Sequence, residues 1–481
     1  MSGGAVNPDV ADLHKELLPV NNDPGRSKSF PGFKTKDEKL KVPGGFRRDF
    51  LNQKADAEGV PWHARPEALR TPLMKTLQPL VRANYFEHVL DISETGEKLA
   101  RSQGELGKLG VALALLKGFV GSGITFMPGA FLNGGWLLSC IALVLIGLLN
   151  GLCIRLLLDC RDKLDASSYG DIAARALGRA GELAVQISLI LSQFGTCIAF
   201  MVFVLKNGVS LGMGSPQFLV AVQLVFLIPL CLVRNLHQLE AANLLADFLT
   251  MSGLFVMVVY FVMAICIDSS HDEGEVQPYN LSNFALFFGA AMQALEGIPT
   301  VLPVRLSMRE PKSFWGIFLS VFAFVVFLYL IFGLAGYICF GPAVQTPVLL
   351  NLPKDALWAK AVKLAYMLAL VLSIPIFFVP VTQLTEFWAF GITKKGSRTW
   401  GKNAIRATEL ILFGLIAIVG ASSFERFLGF VGGACATPIA FVYPPLLHFL
   451  LCAETFAAKA VDIAITAFGV FCVVFVVLQS V

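Results

Sequence analysis

Residues 109–131, LGVALALLKGFVGSGITFMPGAF, form a stretch long enough to cross a bilayer yet built to break halfway. About 20 apolar residues cover a hydrocarbon core as a helix, and in lipid a helix satisfies every backbone group internally. Gly118, Gly121 and Gly123 fall at the middle of the run, with Pro128 beyond them. Helix propensity therefore collapses where exposed backbone is most costly. Such a break is tolerated where it lines a cavity. A half-helix beginning near Ser122 would aim free N–H groups and the positive end of its dipole into that cavity, which suits a carboxylate. Glycines taken alone also serve close helix packing. Lys117 tips the reading toward function, because a lysine in a spanning helix costs roughly 2.5 to 3.5 kcal/mol to insert.

The rest of the chain fits a membrane protein. Hydrophobic residues make up 56% of it and charged residues 15%, the balance of a polytopic protein, so the net charge of +4 matters less than where the charges lie. No basic stripe interleaved with aromatics points to nucleic acid. The ten cysteines are scattered singly through apolar segments, which suggests packing residues and neither a disulfide framework nor a metal site. Six histidines, at 14, 63, 88, 237, 271 and 448, make no constellation of a metal or hydrolytic enzyme. No catalytic residue, metal or cofactor is therefore expected. Residues 1–107 are different material, rich in charges of both signs with many Pro, Gly, Asn and Asp. They read as a cytosolic, largely disordered tail without a cleavable signal peptide, in which 71–92 is apolar enough to dock. Residues 108–481 read as the membrane domain.

Runs of about 20 apolar residues recur at 135–158, 183–205, 216–233, 241–267, 284–304, 314–339, 358–389, 405–421, 427–452 and 460–478, which with the first makes eleven expected spans. Basic residues concentrate in the loops that face the cytosol if the N-terminus is inside, among them Arg161, Arg305 and Lys394. The loop before the sixth span has no Lys or Arg through DSSHDEGEVQPYNLS and carries an Asn280-Leu281-Ser282 sequon, which places it on the opposite, lumenal side. Closeness to the membrane argues against modification of Asn280.

The sixth span, FALFFGAAMQALEGIPTVLPV, repeats the logic of the first, with Glu296, Gly297 and Pro299 together at its middle. The second break falls five spans on from the first. An odd number per repeat makes the halves run in opposite senses, and paired interrupted helices in inverted halves mark a transporter's midplane site.

The strings LLKGFVGSGITFMPGAFLNGGW, ISLILSQFGTCIAFMVF, LVRNLHQLEAANLLADF, FFGAAMQALEGIPTVLPV, GYICFGPAVQTPVLLNLP and FLGFVGGACATPIAFVYPPLLH resemble the amino acid/auxin permease family over residues 105–478. Within it the likeness is greatest to proton-coupled and vacuolar amino acid transporters of eukaryotes. The resemblance implies an all-α protein of eleven transmembrane helices. The first ten would adopt the 5+5 inverted-repeat fold of the APC superfamily, with helices 1 and 6 broken. It also implies that Gly121, Ser122 and Gly123 receive a substrate carboxylate, and that the unwound backbone from Gln293 to Gly297 receives an α-amino group. Where many relatives carry Tyr in the third span, this chain has Phe200, so no hydroxyl is offered there.

The residues themselves suit a zwitterion. The first break offers donors to a carboxylate and the second offers carbonyls to an ammonium. Ser122 and Thr125 add hydroxyls, Met292 and Ala294 border an apolar pocket, and Gln193 is an amide that contacts either substrate or a neighbouring helix. A sodium site would need a cluster of oxygen ligands, and the middle of the eighth span offers only Ser373. Lys117, Asp247 and Glu296 are ionisable groups inside spans, which favours the proton as coupling ion. Lys117 and Asp247 share a depth of roughly 10 to 12 Å from the cytosolic edge at 1.5 Å per residue; the resemblance implies that the inner halves of their helices are neighbours, and an ion pair between them is expected. His237 and His448 fall near inner helix ends, where a solvated or capping role suffices. The expected function is secondary active transport of amino acids by alternating access, in a vacuolar, lysosomal or plasma membrane. The rival readings are a sodium-coupled carrier, an amino acid sensor with little flux, and a channel.

Overall fold

The structure is a computed structural model that describes residues 107–480, apart from 165, 167, 234–239, 268–274, 307 and 391–398. The expected tail, the segment 71–92 and His237 lie outside the described residues.

The first apolar stretch is helical over Lys108–Phe119 (α1), extended at Val120 and Gly121, a 3-10 turn over Ser122–Phe126, and helical again over Met127–Gly134 (α2). Then come Trp136–Leu164 (α3), Tyr169–Ser210 (α4), Pro216–Leu232 (α5) and Glu240–Ile267 (α6). The second interrupted segment is Phe284–Ala294 (α7) followed by Ile298–Leu306 (α8). Phe314–Phe340 (α9), Leu357–Phe390 (α10) and Thr399–Gly420 (α11) follow. The chain ends in Phe424–Phe430 (α12), π-helical turns over Val431–Ala436 and Pro438–Val442, Tyr443–Leu451 (α13) and Phe456–Ser480 (α14). Nine segments among the described residues are long and apolar enough to cross a membrane. Helix α5 and the interrupted α7 to α8, at the places of the fourth and sixth expected spans, are shorter.

The two interrupted segments lie antiparallel. Helix α1 packs beside α8, and α2 packs beside α7. The approach is close because glycines face it: a β-carbon on Gly297 would lie 2.1 Å from the Phe119 ring, and one on Gly118 would lie 2.5 Å from Thr300 Cγ2. This is the crossing that two inverted halves produce, and it brings both breaks to one level.

Polar side chains inside the bundle tie helices together. Buried Arg406 on α11 donates from Nε to Glu386 of α10 at 2.6 Å and from its terminal nitrogen to the Cys231 carbonyl of α5 at 2.8 Å. On α13, Nδ1 of His448 lies 2.7 Å from Oδ2 of buried Asp462 on α14, so this histidine is paired where a solvated or capping role was expected. The side-chain nitrogen of Asn280, the atom a glycan would need, donates to the Leu132 carbonyl at 3.4 Å.

Candidate functional site

Each break frees backbone carbonyls, and in both cases a side chain from another helix takes one. The phenol of Tyr329, buried near the middle of α9, donates to the Phe119 carbonyl at 3.1 Å. Buried Asn150, near the middle of α3, donates from Nδ2 to the Leu295 carbonyl at 3.0 Å. Helices α3 and α9 each follow one of the interrupted segments, and each serves the break in the other. An unpaired carbonyl at this depth would be costly, so these two side chains make the interruptions stable.

Gly121 is extended and not covered by protein, and a β-carbon there would meet no atom within 4 Å. Open space therefore borders the first break at the point where the N–H groups of the 3-10 turn begin. Two residues on, Gly123 is packed: its β-carbon would lie 3.2 Å from Cα of Ala294 and 3.5 Å from the Tyr329 phenol oxygen. The exposed residues Leu109, Leu113 and Lys117, four residues apart, lie on one face of α1, which leads from the helix start toward the break.

At the second break, Glu296 is held against α4. Its Oε2 accepts from Ser192 Oγ at 2.5 Å and from Gln293 Nε2 at 3.2 Å, and the same amide nitrogen reaches Thr196 Oγ1 at 3.0 Å. Three buried acceptor oxygens beside this break, Oε1 of Glu296, Oε1 of Gln293 and Oδ1 of Asn150, have no donor among the described residues. A group rich in N–H donors would satisfy them.

Lys117 on α1 reaches across to α6, where its Nζ lies 2.5 Å from Oδ2 of Asp247, with the two side chains 44% and 43% exposed. Near the helix ends on this face, Lys108 pairs with Glu310 at 3.2 Å and Arg305 pairs with Asp162. On the opposite face the approach is shut. Phe126, at the end of the 3-10 turn, meets Phe424 edge-on at 5.3 Å and Phe203 at 6.2 Å between ring centroids.

Of the residues singled out in sequence, the structure gathers Gly121, Gly123, Gln293, Ala294 and Glu296 at the facing breaks, with Ser122 between the glycines. Thr125 and Met292 are there too but buried, at 0% and 1% exposure, so neither borders open space in this conformation. Gly297 is sealed beneath Phe119. Gln193 is half-buried, and the contacts from α4 to the break come from Ser192 and Thr196 on either side of it in sequence. Ser192, Thr196, Tyr329 and Asn150 went unread in sequence, because one hydroxyl or amide in an apolar helix carries no motif. Phe200 is buried and packs edge-on against Phe377 at 5.5 Å. Ser373 turns its hydroxyl back to the Ala369 carbonyl of its own helix at 2.8 Å.

A family model described as transmembrane amino acid transporter protein matches residues 107–481. The chain is 30% identical over 475 residues to vacuolar amino acid transporter 3 of Saccharomyces cerevisiae, with 90% of this chain and 68% of that protein covered. It is 30% identical over 450 residues to vacuolar amino acid transporter 3 of Schizosaccharomyces pombe, covering 91% and 67%. It is 25% identical over 363 residues to the proton-coupled amino acid transporter-like protein pathetic of Drosophila melanogaster, covering 70% and 75%.

Proposed function

The chain belongs to the transmembrane amino acid transporter protein family, and on that premise we propose that it carries amino acids across a vacuolar-type endomembrane by proton-coupled alternating access. It is a transporter and not an enzyme. The observation that carries the reading is the facing pair of breaks: open space at Gly121 beside backbone N–H groups, and donor-less acceptor oxygens beside Glu296. The substrate carboxylate goes to the backbone from Gly121 to Gly123, where the start of the half-helix stabilises negative charge. The ammonium goes to the second break, where a group with three N–H donors meets the oxygens of Gln293, Asn150 and Glu296.

The proton goes to Glu296. Ser192 and Gln293 hold one of its oxygens and leave the other without a donor, so its charge is sensed by both substrate and local backbone. Lys117 and Asp247 are the second ionisable element, forming a link between α1 and α6 that must loosen when the two helices part. Residues 1–107 form a cytosolic tail and 108–481 the transport domain. The face carrying Lys108 and Arg305 is cytosolic, on the distribution of basic residues.

The test is uptake of a panel of labelled amino acids into proteoliposomes containing the full-length protein. Accumulation is expected under an imposed proton gradient and lost with a protonophore. Accumulation that follows a sodium gradient and ignores the proton gradient would overturn the coupling, and no uptake of any amino acid would overturn the reading.

A further inference from the structure

Glu425, at the start of α12, is bonded to two other elements on the face opposite Lys108, and a third is joined to it through Thr346. Its Oε2 accepts from Nδ2 of Asn133, at the end of α2, at 3.1 Å. Its Oε1 accepts from Oγ1 of Thr346, in the loop after α9, at 2.8 Å. Lys206, near the end of α4, donates to the Thr346 carbonyl at 2.9 Å, with its ammonium 5.4 Å from the centroid of the neighbouring Phe424 ring. The loop sits tightly on α2, since a β-carbon on Gly129 would lie 1.8 Å from Thr346 Oγ1. Directly beneath lie the rings of Phe126, Phe203 and Phe424 that separate this face from the first break.

We propose that Glu425 is a positioning residue for transport, an ionised clasp that holds the outer gate shut and is released when a proton from that face neutralises it. The inference rests on the transport reading and adds a residue to it. The chemistry is that of a two-oxygen acceptor. As a carboxylate, Glu425 accepts from both Asn133 and Thr346, and both bonds are charge-assisted. A proton on Oε2 faces the Asn133 amide N–H and costs that bond, whereas a proton on Oε1 can be donated to a turned Thr346 hydroxyl; in either case the charge assistance that strengthens the clasp is gone. The charge near Lys206 disappears at the same time. The other charged groups about the clasp are exposed Arg426 beside Glu425 and, further along the loop, Lys354 and Asp355. Helices α2 and α7 contribute no ionisable side chain. With the clasp released, α2 and the loop after α9 are free to part from α4 and α12, which opens the path to Gly121 from this face.

The test reads gate opening without substrate. In the full-length protein, with exposed Cys266 replaced by Ser, spin labels go on Met213→Cys and Leu281→Cys, two exposed positions in loops of this face. Interspin distances are measured in liposomes at neutral and acid pH. Acid is expected to shift the distance toward a longer population. Glu425→Gln should show the long population already at neutral pH and lose the acid shift, whereas Glu425→Asp should keep it. A Glu425→Gln variant with the unaltered acid shift, or no acid shift with Glu425 in place, would overturn the proposal. Failure of amino acid uptake together with an acid shift abolished by Glu425→Gln would sink the transport reading and leave the clasp standing.

Discussion

Lys117 and Asp247, 130 positions apart in the chain, bring opposite charges to within 2.5 Å between α1 and α6. Lys117 lies on the exposed side of α1, two residues before that helix ends at the first break. Both side chains are more than a third exposed, so the pair is not sealed inside the protein. A double-mutant cycle of Lys117→Met and Asp247→Asn, read by thermal stability and uptake, should give a coupling energy above about 0.5 kcal/mol. Simple addition of the two single effects would remove the pair from the mechanism.

The carbonyl bonds at the two breaks predict a matched set of stability losses. Tyr329→Phe leaves the Phe119 carbonyl unpaired, and Asn150→Leu does the same to Leu295. Each should lower stability by about 1 to 3 kcal/mol, the cost of a buried polar group without its partner. Thermal unfolding in detergent checks this, and uptake should fall in both variants. Unchanged melting in both would show that the breaks need no external support.

Gly121 and Gly123 sit two residues apart and should respond differently. A side chain at Gly121 enters open space, so Gly121→Leu should keep stability within about 0.5 kcal/mol and lose uptake. Gly123 is packed on Ala294, so Gly123→Leu should cost about 1 to 3 kcal/mol through overpacking. Uptake should be lost in both variants, and melting measured side by side separates loss at an open position from loss that also disturbs packing. Normal uptake by Gly121→Leu would move the substrate away from the first break.

The breaks themselves were legible in sequence because Gly, Pro and an ionisable residue violate the pattern of an apolar span, and each violation maps to one place along one helix. The Lys117 to Asp247 pair was legible from two opposite charges at equal depth together with the helix adjacency that the family resemblance implied. The supporting residues were not. Asn150, Ser192, Thr196 and Tyr329 are ordinary single polar residues in apolar helices, and only the crossing of helices distant in sequence shows what they touch. Exposure was also invisible: Met292 and Thr125 read as lining but are buried, and Gly121 and Gly123 read alike although one is open and one is packed. Glu425 and Thr346 lie at helix ends and in a loop, where polar residues are the norm and attract no notice.

The central claim is that the facing breaks hold the amino acid while Glu296 carries the proton. Counterflow and gradient-driven uptake in proteoliposomes of a Glu296→Gln variant test both at once. Glutamine keeps the size and hydrogen-bonding reach of the side chain that meets Ser192 and Gln293 but cannot cycle between charge states. Exchange of labelled for unlabelled amino acid should continue in this variant, while accumulation driven by a proton gradient should be lost. Uphill, proton-driven accumulation by Glu296→Gln at the level of the unaltered protein would contradict the account.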